Sequence, residues 1–327
     1  MTNAYVSTAP SHGQNEPEEG DPHLSFIIPA LNEAYTIASV IQSITHAATS
    51  LGWNIEVIVV DHGSSDGTER IAAEAGASVL PHSGGTIADL RNAGAAAATG
   101  QIFVFLDADV TLTERWSERI RDTVAAIVQS KRLITGSMCS PPGTLPVPLR
   151  YWFESLALDP RDTHLGTGHM IMARSTFVEL GGFNGALQTG EDFDLCERAR
   201  SVGIRIFNDT DLKTVHHGFP ATLARFVARE VWHGQGDTVD LRTMLHSKVV
   251  IGATAFIVLH LLLVAAIIAG SKSGIMTSVL CLALLLLGSS VAKNRHMRPG
   301  VILMNAGMFY FYYVGRAHAL LMRLARK

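Results

Sequence analysis

From residue 24 onward, short unbroken apolar runs alternate with stretches in which apolar residues recur every three or four positions. Leu24–Pro29, Ile55–Val60, Ser78–Leu80 and Ile102–Leu106 read as buried strands. Between them, Ala34–Ser50 carries Ile37, Val40, Ile41 and Ile44 at helical spacing, Asp66–Ala75 has the start of a capped helix, and Ile87–Ala98 is Ala-rich. Glu114–Gln129 continues the helical pattern. The proline at 29 is expected to stop the first strand, Asn32 to cap the next helix, and Ser65 or Asp66 to cap the one after. Strands alternating with helices predict an α/β, Rossmann-like, mainly parallel sheet covered on both faces. Ligands of such sheets bind beyond the carboxyl ends of the strands, here just after residues 29, 60, 80 and 106.

The pattern changes at both ends. Residues 1–22 are polar and acidic and are expected to be a disordered tail without the basic and apolar regions of a signal peptide. Residues 23–240 form the expected catalytic domain, and residues 241–327 a membrane domain. Residues 249–271 carry no charge, and 274–292 repeat the pattern, so two transmembrane helices are expected, joined by a very short connector. A third segment, about 300–322, reads as an interfacial amphipathic helix or a third span.

Charge sharpens this division. Residues 1–240 hold 29 acidic and 16 basic residues, whereas 241–327 hold ten basic residues and no acid. Basic clusters at both ends of the apolar hairpin put those ends in the cytoplasm by the positive-inside rule. The expected localisation is therefore the cytoplasmic membrane, multi-pass, with the catalytic domain facing the cytoplasm. Nucleic acid is excluded as a partner, because the positive charges punctuate apolar segments and form no single patch. Cys139, Cys196 and Cys281 are too scattered for a disulfide framework or a Cys-x-x-Cys metal pair. Nothing in the sequence specifies the oligomeric state.

Candidate chemistry collects at the expected strand ends. The first reads Pro29-Ala30-Leu31-Asn32-Glu33, and the second Asp61-His62-Gly63-Ser64-Ser65-Asp66-Gly67-Thr68. An acid in the first position after a strand can accept hydrogen bonds from a ribose or base. The fourth end carries Asp107 and Asp109 after five apolar residues, and alternation along an extended chain puts both on one side. Such a pair repels itself unless a cation lies between, which suits a hard divalent ion such as Mg²⁺ or Mn²⁺. Further on, Glu191-Asp192 opens a helix after a Gly-rich loop, and Val215-His216-His217-Gly218 offers an imidazole ligand at either His216 or His217. Arg225, Arg229, Trp232 and His233 share one side of a helix, suited to a diphosphate, an acceptor or lipid headgroups.

Taken in this order, the motifs resemble those of family-2 glycosyltransferases with the GT-A fold. The resemblance runs through Leu90-Arg91-Asn92-Ala93-Gly94, Asp107-Ala108-Asp109, Gly181-Gly182-Phe183 and Glu191-Asp192-Phe193-Asp194-Leu195-Cys196, and covers about residues 24–235. It implies that Asp61 contacts the base or ribose of a nucleotide sugar, with Pro29, Asn32 and Glu33 lining the pocket. It places Arg91 near the diphosphate, Asp107 and Asp109 at a divalent cation, and a histidine, preferably His216, on the same ion. Asp192 would be the general base, with Glu191, Arg229 and Trp232 beside the donor. His62 departs from the family, many members having a second acid there. The Gln-x-x-Arg-Trp motif of processive synthases is absent, which favours transfer of a single sugar. The expected acceptor is a membrane lipid or lipid-linked molecule. The alternatives are transfer to polyprenyl phosphate, and a catalytically silent membrane scaffold that binds nucleotide sugars.

Overall fold

The computed structural model describes residues 23–158, 164–236 and 241–325, without the side chains of residues 241–243. The expected tail at 1–22 lies outside the described residues. Among the described residues there are nine strands: β1 Leu24–Ala30, β2 Ile55–Asp61, β3 Ser78–Pro81, β4 Ile102–Leu106, β5 Val110–Leu112, β6 Leu133–Gly136, β7 His169–Ala173, β8 Arg205–Asn208 and β9 Thr214–His216. Seven of them form one sheet in the order β3-β2-β1-β4-β7-β6-β8, and β5 pairs with β9 in a second, two-stranded sheet.

The first four strands run parallel, as the alternating pattern requires. Residue alternation then assigns each strand to two cores at once. Phe26, Ile28, Val57, Val59, Val104 and Leu106 face one core, against the helices Ile37–Leu51 and Glu114–Ser130. Ile27, Ile58, Val60, Phe103 and Phe105 face the other, against the helices Ile87–Ala97 and Glu191–Ser201. Strands buried on both sides need no polar face, which is why they appear as solid apolar runs.

β7 reverses the direction, pairing antiparallel with both β4 and β6. Its start therefore lies beside the end of β4, with His169 opposite Leu106. The loop that enters β7 is thus delivered to the edge where β4 releases Asp107.

Three local expectations need correction. β1 continues through Pro29, which stays in register with Val60. The pairing of β1 with β4 ends at Ile27, so proline falls where the strand keeps only one neighbour. The following helix begins at Ile37 rather than Ala34, and Asn32 does not cap it. Asn32 adopts φ 57°, and its amide and side chain bond across to Ser64 and Ser65. Asp66 binds the backbone N–H of Thr68, but Gly67 occupies the cap position itself.

The C-terminal part contains helices Lys248–Ile268 and Lys272–Asn294, of 21 and 23 residues, with mean hydropathies of 2.6 and 2.2. At about 1.5 Å per residue each is long enough to cross about 30 Å of hydrocarbon. Ile251, Leu261, Ile268, Met276 and Leu284 point outward from them. The third helix, Pro299–Ala325, packs on both of these and also lies along helices Val147–Ala157 and Leu223–Gly234 of the catalytic unit. Trp152, Phe153, Phe226, Phe256, Phe309 and Tyr312 form a third core at that junction.

Candidate active site

Two adjoining clefts open at the carboxyl edge of the large sheet. The first, of about 320 Å³, is lined by Pro29, Glu33, His62, Leu90, Asp107, Asp109 and His216, among others. The second, of about 500 Å³, is lined by Arg91, Asp107, His164, Glu191, Asp192, His216, Arg229, Trp232 and their neighbours. Asp107 and His216 belong to both walls. Asp192 therefore shares a cleft with Asp107 and His216, whereas Asp109 lines only the first cleft.

Asp107 and Asp109 converge through a turn rather than by alternation along a strand. The chain leaves β4 at Leu106, and the N–H of Val110 closes the turn on the Asp107 carbonyl. β5 begins immediately and pairs with β9, setting Val110 opposite His216. This small sheet brings His216 from about a hundred residues away. Ligand atoms of Asp107, Asp109 and His216 lie within 4.8 Å of one another. Two carboxylates and an imidazole at that spacing suit Mn²⁺ or Mg²⁺. Burial pushes the His216 imidazole down, but its hydrogen bond to Asp109 and the charges of Asp109 and Asp107 raise it on balance. Its Nε2 is 3.0 Å from Asp109 Oδ1. His217 instead meets Thr111 Oγ1 at 2.9 Å, so the structure separates the two histidines.

Glu33 stands close enough to feel both aspartates. Burial raises its carboxyl pKa, a hydrogen bond from Thr36 works against that rise, and the charges of Asp109 and Asp107 add to it. Asp61, at 3% exposure, accepts hydrogen bonds on Oδ2 from the amides of Gly63 and Ser64, which shapes the turn after β2. Its Oδ1 is a buried acceptor with no partner among the described residues, and Asp61 itself lines neither cleft. Asn32 is exposed, holds the Ser64–Ser65 turn, and lines neither cleft.

Arg91 lines the second cleft beside Asp107. Its helix is started by a capping box of Thr86 and Asp89. The side chain is only 2% exposed, with Nη1 2.7 Å from Glu191 and Nη2 2.8 Å from Asp107. Both ends of the guanidinium are thus held by carboxylates, which braces Asp107 against Glu191. Asp192 follows Glu191 at the start of its helix, and its Oδ1 accepts the N–H of Phe193. Its Oδ2 faces His164 Nε2 at 3.6 Å. Sequence reasoning missed His164, which carries no local motif and reaches the cleft only because β7 is antiparallel.

Arg229 is half-buried, stacked 5.2 Å over Phe153 and bonded to Glu230 at 3.0 Å. Trp232 stands at the cleft rim, 52% exposed. Burial, helped by the charges of Arg229 and Arg316, pushes the neighbouring His233 imidazole down to about 3, so it is neutral.

Comparison with known proteins agrees with this architecture. The profile of glycosyl transferase family 2 matches residues 25–179. The pre-mycofactocin glycosyltransferase of Mycobacterium tuberculosis is 29% identical over 240 residues, 67% of this chain and 48% of that protein. Glycosyltransferase AglE of Haloferax volcanii is 34% identical over 111 residues, 32% of this chain and 36% of that protein. The chain thus spans about half or less of the length of these curated relatives. A mannosyltransferase of Pyrobaculum calidifontis, PcManGT, solved with GDP-Man and Mn²⁺, shares the fold with a TM-score of 0.58 at 20% identity. That likeness covers 92% of this chain and 88% of the other. The family-2 match thus falls on residues 25–179, within a mostly parallel α/β sheet of the GT-A type.

Proposed function

We propose that the protein transfers a single sugar, with inversion, from a nucleotide-sugar donor to a membrane lipid or lipid-linked acceptor. The observation that carries this reading is the shared cleft wall: Asp107 and His216 border both the pocket beneath the first two strand ends and the pocket that holds Asp192. The nucleoside occupies the first cleft, with Asp61 Oδ1 accepting from base or ribose and Pro29 and Glu33 alongside. Asp107, Asp109 and His216 hold a divalent cation. When bound, that cation supplies positive charge to the departing diphosphate. Arg91 keeps Asp107 in place, and Arg229 presents positive charge from the far wall. Asp192 takes the proton of the acceptor hydroxyl. The acceptor oxygen bonds to the anomeric carbon as the bond to the diphosphate oxygen breaks, and the electron pair leaves with the nucleoside diphosphate. The exposed apolar faces of helices Lys248–Ile268 and Lys272–Asn294 support a membrane anchor, with the catalytic unit on the cytoplasmic side.

The test uses membranes from cells expressing the full chain, labelled nucleotide sugars and added Mn²⁺. Label is expected in the lipid extract, with matching release of nucleoside diphosphate. The double variant Asp107→Ala/Asp109→Ala should abolish both, and undiminished release would reject the assignment. Asp192→Asn separates the acceptors. A neutral hydroxyl acceptor requires the base, and the variant should lose about a hundredfold or more. A polyprenyl phosphate acceptor is already an anion, and the variant should then remain active.

A further inference from the structure

The catalytic unit and the C-terminal helix meet at an ionic contact that no step above uses. Glu230, on helix Leu223–Gly234, is 2% exposed. Its Oε1 accepts from Arg229 Nη1 at 3.0 Å, and its Oε2 from Arg316 Nη2 at 2.9 Å. Arg316 belongs to helix Pro299–Ala325 and stacks on Tyr312 of that helix at 5.0 Å. One carboxylate is therefore divided between two guanidinium groups.

This contact needs unusually close helices. A methyl group on Gly315 would stand 2.7 Å from Glu230 Cβ and 3.0 Å from the Val227 carbonyl oxygen. A methyl group on Gly234 would stand 2.6 Å from Ala319 Cβ. Gly315 and Ala319 are one helical turn apart, so a stripe of small residues lets the C-terminal helix lie against the backbone of its neighbour. Only at that approach does Arg316 reach Glu230.

From Arg229 the path to the metal cluster is short. Its guanidinium lies over Phe153, Phe153 stacks on Phe219 at 4.1 Å, and Phe219 meets the His216 ring at 4.4 Å. Arg229, Phe219 and His216 line the same cleft.

We infer that Arg316 is a positioning residue: by holding one oxygen of Glu230, it keeps that carboxylate from closing on Arg229 and so leaves Arg229 with positive charge to offer a bound diphosphate. This inference rests on the donor reading proposed above. It makes the C-terminal helix part of the diphosphate site, although that helix places no side chain in the cleft. Without Arg316, both oxygens of Glu230 are released to form a closed pair with Arg229, and the cleft loses a cation.

The test is calorimetric titration of the full-length protein in detergent with UDP and with GDP, each with saturating Mn²⁺. Arg316→Gln is expected to weaken the nucleoside diphosphate that the wild type binds by about tenfold, within the usual range of coupling between sites. Arg316→Lys, which keeps the charge, is expected to restore most of the loss, and melting of both variants should stay near wild type. Equal affinity in wild type and Arg316→Gln overturns the inference. So does equal loss in the Gln and Lys variants, which would leave Arg316 only a packing role. Failure of the wild type to bind either nucleoside diphosphate would remove the donor reading first, and the inference with it.

Discussion

Gly218 offers a perturbation that reaches the metal cluster without replacing a ligand residue. Its backbone is not left-handed, so alanine is conformationally acceptable there. A methyl group at this position would overlap Asp109 Oδ2, and would stand 3.1 Å from Asp109 Cγ and 3.3 Å from His216 Nε2. Non-bonded atoms settle near 3.5 Å, so the carboxylate must swing away by about 1.5 Å. That movement breaks the 3.0 Å contact between Asp109 and His216. The displaced atoms are the tip of a side chain, so the fold should survive within about 1 kcal/mol, helped by the lower unfolded-state entropy of alanine. Catalysis should not survive so well, because an error of about 1 Å at a reacting centre costs about a hundredfold. That factor corresponds to about 2.7 kcal/mol of transition-state stabilisation. The assay is nucleoside diphosphate release against Mn²⁺ concentration, alongside thermal melting of the same preparation. Gly218→Ala should need more Mn²⁺ and turn over more slowly at saturation while melting near wild type. Wild-type turnover at every Mn²⁺ concentration would refute the reasoning, and so would a loss fully explained by unfolding.

Three further outcomes can be checked. Arg91→Met strands the carboxylates of Glu191 and Asp107 at 2.7 and 2.8 Å from a lost partner, and should cost about 3–5 kcal/mol in chemical or thermal denaturation. His216→Ala should abolish Mn²⁺-dependent binding of nucleoside diphosphate, whereas His217→Ala should leave it intact, since His217 turns to Thr111; calorimetry distinguishes them. His169 is fully buried, and burial pushes its imidazole down to about 3. The unfolded chain takes up a proton near pH 6.5 while the native state does not, so stability is complete above that pH and falls as pH drops toward 3. The slope approaches about 1.4 kcal/mol per pH unit. His169→Gln should flatten the melting-temperature profile in that window.

Much of the donor half could be read along the chain. β1, β2 and β4 are buried on both faces, and that burial leaves an uninterrupted apolar record with the acids just beyond it. What escaped reading depends on partners distant in sequence. The amides of Asn32, Glu33 and Ala34 are held by Ser64, Thr68 and Asp66, which delays the first helix until Ile37. β5 and β9 have three residues each and little signal of their own, yet their pairing selects His216 over His217. The bond between Arg91 and Glu191 was hidden for a similar reason, because Glu191 lies a hundred residues further on. The third C-terminal helix shows the limit most plainly. Its small residues at 315 and 319 carry meaning only once Glu230 and Gly234 are known to face them.

The reversed strand β7 has a consequence for how such an enzyme diversifies. Apart from His216, the first cleft is lined by residues before Val110, whereas His164, Asp192 and Arg229 of the second cleft come later in the chain, His164 on the loop that enters the reversed β7. On the function proposed above, changes in the later segments would retune what receives the sugar while the earlier ones keep the donor. A chimaera joined inside the Glu114–Ser130 helix would inherit its donor preference from one parent and its acceptor preference from the other.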